Sequence, residues 1–153
     1  MNIESPVFQN GEKIPRKYTC EGENINPPLM FIQVPKTAKS LALIVDDFDV
    51  PKSLKPDGLW NHWLVWNMPP ETKGVGEGMT PPGIQGRGSG NKAAYQGPCP
   101  PDREHRYQFR LYALDAMLEL DPQTARRDEL LEALETHILE TVVLEGRYEK
   151  SRK

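Results

Sequence analysis

Proline and glycine punctuate this chain from end to end: fifteen prolines and twelve glycines, about 18% of the 153 residues, against roughly 12% in an average protein. Proline locks φ and removes a backbone donor, and glycine weakens the interior of any regular element, so long helices have little room. Both residue types lie between apolar runs and form no low-complexity tract, a pattern that predicts many turns joining short strands.

The apolar runs carry strand patterning. Leu29 to Val34 follows Pro27-Pro28 and is a first candidate. Ser40 to Asp46 is continuously apolar until it meets two aspartates, which suits a strand buried on both faces and ending at an accessible rim, with Asp47 at its exit. In His62 to Met68, alternation puts His62, Leu64 and Trp66 on one face and Trp63, Val65 and Asn67 on the other. Trp60, Trp63 and Trp66 recur at a helical interval, but their β-forming neighbours favour a strand, with the tryptophans as core and pocket wall. In His105 to Asp115 the split is cleaner: His105, Tyr107, Phe109, Leu111 and Ala113 share the inner face, and Arg106, Gln108 and Arg110 the outer. Each histidine opens its strand and should lie at a sheet end, where neighbouring loops build sites.

One helix is expected, from Ala125 to Leu139, with Leu130, Leu131, Leu134 and Ile138 as its apolar stripe and Thr124 or Asp121 as its cap. His137 on that helix reads as structural or surface. Thr141 to Tyr148 is the last strand, and Glu149 to Lys153 a frayed polar tail. Residues 69 to 104 show little periodicity, so they are either a functional loop or hide a missed element.

With 37% hydrophobic and 27% charged residues, residues 1 to 153 read as one globular domain able to build its core without a metal or disulfide. A formal net charge of −3 removes the basic footprint of a nucleic-acid binder. Met1-Asn2-Ile3-Glu4-Ser5-Pro6 lacks a basic, then apolar, leader, and no 18-residue apolar run occurs, so the expected protein is cytoplasmic and not membrane-spanning. Cys20 and Cys99 are too distant for a CxxC knuckle; in a reducing cytosol they are expected as free thiols, with a bridge open to a fold that brings them together.

Asp47, Asp49, His62 and His105 are the polar residues that a surface role does not explain, and together they can make one pocket. Imidazole N–H groups donate to an anion, while a carboxylate on the far ring nitrogen fixes the tautomer or raises the pKa. Carboxylates facing a phosphate would repel it, so one aspartate must orient a histidine or read a cationic part of the guest, and a zwitterionic headgroup meets both conditions. The plainer alternative makes His62 a core histidine satisfied by a backbone carbonyl, and Asp47 and Asp49 a turn whose carboxylates bond nearby amides. Two Asp and two His also form a plausible metal set, but HExxH and other dense ligand spacings are absent. Nucleophilic hydrolysis lacks GxSxG, Cys99 lacks an activating helix N-terminus, and the glycines at 83, 86, 88 and 90 follow no strand-to-helix phosphate loop.

The residues resemble the phosphatidylethanolamine-binding proteins, specifically the bacterial and archaeal Raf kinase inhibitor-like (YbhB/YbcL-type) branch. Asp47-Phe48-Asp49-Val50-Pro51 is similar to that family's D-P-D-A-P loop, His62-Trp63 with LVWNMP to its H-W-x-V-x-N-x-P strand, and Gly97-Pro98-Cys99-Pro100-Pro101 followed by His105-Arg106-Tyr107 to its G-P-x-P-P…H-R-Y segment. Tyr18-Thr19-Cys20-Glu21-Gly22 through Asn26-Pro27-Pro28-Leu29 resembles the branch's entry segment. The resemblance runs over nearly the whole chain. It implies a mainly β fold, an antiparallel β-sandwich with one C-terminal helix and a final strand, and one small anion-binding cavity. Carried over by position, the cavity residues are Asp47, Asp49, Pro51, His62, Cys99, Pro101, His105 and Tyr107, with backbone amides near Cys99 helping to hold the anion, and Val50-Pro51 a candidate cis bond. Family activities are binding of phospholipid headgroups or small anions and inhibition of kinases or peptidases, with no cofactor and no shared catalytic reaction; a hydrolase or metal enzyme reusing the pocket is the alternative. Departures cluster at the mouth: Phe48 replaces a loop proline and is expected at the rim, Gly88-Ser89-Gly90 stands for N-D-F, Ala94 and Gln96 replace glycines, and Asp102-Arg103-Glu104 replaces a glycine-containing bridge.

Overall fold

Every residue of strand β3, Ser40–Asp47, is buried, because the sheet that contains it is covered on both faces. The computed structural model describes residues 1–151. In it β3 is the middle of a five-stranded antiparallel sheet in the order β6-β4-β3-β7-β8, with β4 Trp60–Met68, β6 Ile84–Gly86, β7 His105–Leu114 and β8 Ile138–Tyr148. A three-stranded sheet of β1 Asn2–Glu4, β2 Leu29–Ile32 and β5 Gly74–Val75, in the order β1-β2-β5, accompanies it.

Alternation in β3 sends Leu41, Leu43 and Val45 into a core shared with Ile3, Leu29 and Phe31 of the small sheet and with Trp63, Val65, Tyr107, Phe109 and Leu111. Ala42 and Ile44 meet Leu64, Trp66, Tyr112, Leu114, Leu130 and Leu134 in a second core beneath helix α1, Arg127–Leu134. The fold is therefore mainly β and sandwich-like, with one helix and a final strand, and the uninterrupted apolar run of β3 follows from its two packed faces.

The helix is shorter than its apolar stripe predicted. Glu129 Oε1 accepts the Arg126 N–H at 2.9 Å at its start, while Asp121 forms only the preceding turn, its carbonyl accepting from Thr124 and Ala125. At the far end Ile138 pairs with Leu114 as the first residue of β8: a β-branched run with an open ladder beside it gains more from pairing than from another helical turn. His137 lies in the connection, with Nδ1 2.8 Å from Asp115. Within the aperiodic stretch from 69 to 104, β5 and β6 are too short for a period to reveal. Among the tail residues, Ser151 donates its N–H to Glu21 Oε1 at 2.9 Å and so is held; residues 152 and 153 lie outside the described residues.

Candidate functional site

Antiparallel order explains how distant stretches converge. The end of β3 adjoins the beginnings of β4 and β7, and Asp47 pairs with Trp60 on one side and Tyr107 on the other. At this rim lies a cavity of about 240 Å³, and Asp47, Trp60, His62, Gln96, Gly97, Cys99, Pro101, His105 and Tyr107 are among its walls, with Val50, Leu54 and Lys55 from the 50–59 loop.

A register shift aims His62. Val45 pairs with Trp63 but Asp46 pairs with Asn61, leaving His62 as an extra residue, the arrangement of a β-bulge, which re-aims a side chain. Strict alternation placed His62 with Leu64 and Trp66; the bulge instead turns it to the cavity, where its ring meets Tyr107 edge-on at 5.3 Å between centroids. Its Nδ1 lies 2.6 Å from the Gln96 carbonyl, which can only accept, so Nδ1 carries the proton and Nε2 the lone pair. Burial lowers the His62 pKa to about 4. At neutral pH this imidazole is thus an acceptor toward the cavity, contrary to the expected anion donor, and the backbone-carbonyl alternative holds for one of its two nitrogens.

His105 is fully buried and both its nitrogens face carboxylates: Nδ1 is 2.5 Å from Asp47 Oδ2 and Nε2 is 2.7 Å from Asp102 Oδ1. The other Asp47 oxygen accepts the Asp49 N–H at 2.8 Å, as a turn-forming aspartate does. Burial raises the Asp47 pKa, with His105 opposing it; the hydrogen bond from His105 lowers that of Asp102. The Tyr107 hydroxyl, buried on the same wall, makes no hydrogen bond of ordinary geometry, and the Asp47 carboxylate is its polar neighbour. Burial, then the Asp47 charge, pushes its pKa far up, so it remains O–H.

The cavity brings together six of the eight expected residues: Asp47, His62, Cys99, Pro101, His105 and Tyr107. Asp49 points elsewhere, gripped by Arg106 through Nε at 3.0 Å, a second guanidinium nitrogen at 2.9 Å and the backbone N–H at 2.8 Å. These contacts hold its carboxyl below the ordinary range. Arg106 alternates to the outer face of β7 and takes Asp49 with it. Pro51 is not a wall residue either; its carbonyl accepts from Leu54 and Lys55, and so shapes the turn that presents those two. Phe48 stands away from the cavity mouth, with the Arg110 and Arg127 guanidinium carbons 5.9 and 5.8 Å from its ring centroid. The Val50-Pro51 bond is trans, since no cis peptide occurs among the described residues. Asp102, Lys55 and Gln96 were missed as site residues. Asp102 and Gln96 were visible as departures from the family pattern, but the backbone geometry that aims them was not.

Cys20 and Cys99 are joined, with Cα atoms 5.5 Å apart, which corrects the expectation of free thiols and removes their support for a reducing compartment. The bridge fastens the 3₁₀ turn Arg16–Tyr18 to the cavity wall, beside Gly97, where an added Cβ would stand 2.4 Å from both the Tyr18 carbonyl and Asn24 Oδ1. Among the described residues no group of three or more His, Cys, Asp or Glu is placed to hold a metal, and no helix is long and apolar enough to cross a membrane.

Residues 4–149 match the family model for phosphatidylethanolamine-binding protein. A UPF0098 protein of Chlamydia pneumoniae is 50% identical over 151 residues, covering 99% of this chain and 100% of the relative; one from Methanothermobacter thermautotrophicus is 45% identical over 98% and 99%. The crystal structure of Chlamydia trachomatis CT736, a proposed homolog of these proteins, superposes with a TM-score of 0.94 at 45% identity, covering 98% of this chain and 97% of that one. Escherichia coli YbcL superposes at 0.87 with 27% identity and 98% of each chain. The cavity at the end of β3, β4 and β7 therefore belongs to a member of the phosphatidylethanolamine-binding protein family.

Proposed function

We propose that the cavity binds a small phosphate-bearing molecule, either a free phosphate monoester or a phospholipid headgroup, without transforming it. The observation that carries this reading is the convergence of His62, His105, Tyr107 and Lys55 on one small cavity at the sheet's rim: a few polar groups converging in a largely apolar hollow mark a ligand site, and imidazole, phenol and ammonium groups suit a phosphate. A phosphate oxygen can accept the Tyr107 O–H, and a phosphate that retains one proton can donate it to His62 Nε2. Lys55 at the wall adds a cation, although Asp57 shares it at 2.8 Å. Regulation of a kinase or peptidase partner through the outer surface is the second, family-derived part of the proposal.

Titration with inorganic phosphate and with phosphoethanolamine, followed by NMR at His62 and His105, tests the reading. Both imidazoles should shift at millimolar ligand; unchanged signals would remove the cavity from the function. Tighter binding of phosphoethanolamine points to a headgroup, and equal binding to phosphate alone. His105→Ala should weaken binding by about 1.5–3 kcal/mol, the range for hydrogen bonds to charged groups. Phosphorus NMR should show phosphoethanolamine intact after prolonged incubation; released phosphate, or stoichiometric zinc or iron in the purified protein, would favour a hydrolase.

A further inference from the structure

We propose that Asp102 is a built-in occupant of the anion position: its carboxylate holds His105 Nε2, and the cavity accepts only anions able to displace it. This rests on the reading of the cavity as a phosphate site and names what that site selects. The His105 side chain has no exposed surface, and its two nitrogens are both taken, so an external anion reaches this ring only by exchange.

The two carboxylates differ in freedom to leave. Asp47 is 4% exposed and pinned by the Asp49 N–H; it orients the ring and stays. Asp102 is 41% exposed, sits three residues before His105 in the long 87–104 connection, and is otherwise approached by Arg103, through its backbone N–H and through Nε at 3.7 Å on a side chain itself 60% exposed. Rotation of one side chain exchanges the histidine for water and Arg103 while the backbone stays put.

Selectivity follows from the tether. A side chain held in place competes at an effective concentration on the order of millimolar or above, so a free monocarboxylate offering the same bond loses. A phosphate brings more charge and further oxygens for Tyr107, and when it keeps a proton it also brings a donor for His62 Nε2. The preferred guest is thus a tetrahedral oxyanion of the phosphate monoester class, and Asp102 is the residue that sets the preference.

The test is calorimetric titration of inorganic phosphate and of acetate into the parent chain, Asp102→Asn and Asp102→Ala, with the imidazole nitrogens of His62 and His105 followed by NMR and folding checked by thermal melts. Phosphate affinity should rise at least about tenfold in both variants, corresponding to one charge-assisted competitor removed, and millimolar acetate should bind the variants alone. The gain must survive in Asp102→Asn combined with Arg103→Gln, or the freed Arg103 is its source and the proposal falls. If phosphate shifts His105 equally in all chains with unchanged or weaker affinity in the variants, the proposal is overturned while the cavity reading stands. If the imidazoles ignore phosphate in every chain, both fall, because removing the competitor then opens nothing. Phosphate binding confined to the variants would support Asp102 as the occupant while overturning the reading of the parent chain's cavity as a phosphate site.

Discussion

At His105 two carboxylates meet one imidazole, and the consequences for stability and for binding differ. Asp47 is buried with its pKa already pushed up by lost hydration, so the ring beside it is what makes its charge tolerable. Removing one partner of such a pair leaves the other uncompensated, a loss of about 3–5 kcal/mol in comparable buried pairs. His105→Ala should therefore destabilise the fold by about 3 kcal/mol in urea unfolding, and Asp47→Asn added to it should restore part of that loss. Additive losses in the double variant would show that the two residues act independently. His105 and Tyr107 were legible because β7 alternates without interruption. His62 was misplaced because alternation assumes unbroken pairing, and one extra residue in β4 reverses the face. Asp49 was grouped with Asp47 because both adjoin the buried end of β3 and match the family's loop, whereas Arg106 opposite it decides where it points.

Elements were legible in proportion to their length. β3, β4, β7 and β8 announce themselves through an apolar run, an alternation or a β-branched cluster within eight or more residues, while β5 and β6, of 2 and 3 residues, form because a longer strand is already there to pair with. The helix failed at its end for the same reason, since β7 offered Ile138 a ladder. The Cys20–Cys99 bridge is a connection no local pattern encodes; it depends on the 3₁₀ turn lying against the cavity wall. Closing a loop with a sequence separation of 79 restricts the unfolded chain by about 4 kcal/mol on a chain-entropy argument. Reduction, or Cys20→Ser with Cys99→Ser, should accordingly lower Tm by roughly 10 °C for a chain of this size. Phosphate binding should weaken with it, because Gly97 and Cys99 lose their anchor. An unchanged Tm under reductant would mean that the remaining contacts hold that wall unaided.

At the scale of the whole molecule, the five-stranded sheet separates a binding core from a bracing one. Leu130 and Leu134 pack under the face opposite the cavity, so Leu130→Ala should cost about 2–5 kcal/mol of stability with phosphate affinity unchanged; a parallel loss of affinity would show that the sheet transmits strain. Acid stability is the property in which site and fold meet. His62 titrates near 6.5 when unfolded and near about 4 when folded, because burial opposes its charge. Above pH 6.5 it is neutral in both states and contributes no slope. As pH falls from 6.5 toward 4 only the unfolded chain takes the proton, so stability declines, by on the order of 3 kcal/mol in all at 1.36 kcal/mol per unit, and the loss is complete once the folded form also protonates. Asp46 and Asp47, raised by burial, act with the opposite sign as they approach their own range, so the clearest window is pH 6.5 to about 5. Urea unfolding across that window should show the parent chain losing stability while His62→Gln, which cannot titrate there, stays flatter. Parallel curves for the two chains would mean that the buried imidazole is not what couples this fold to protons.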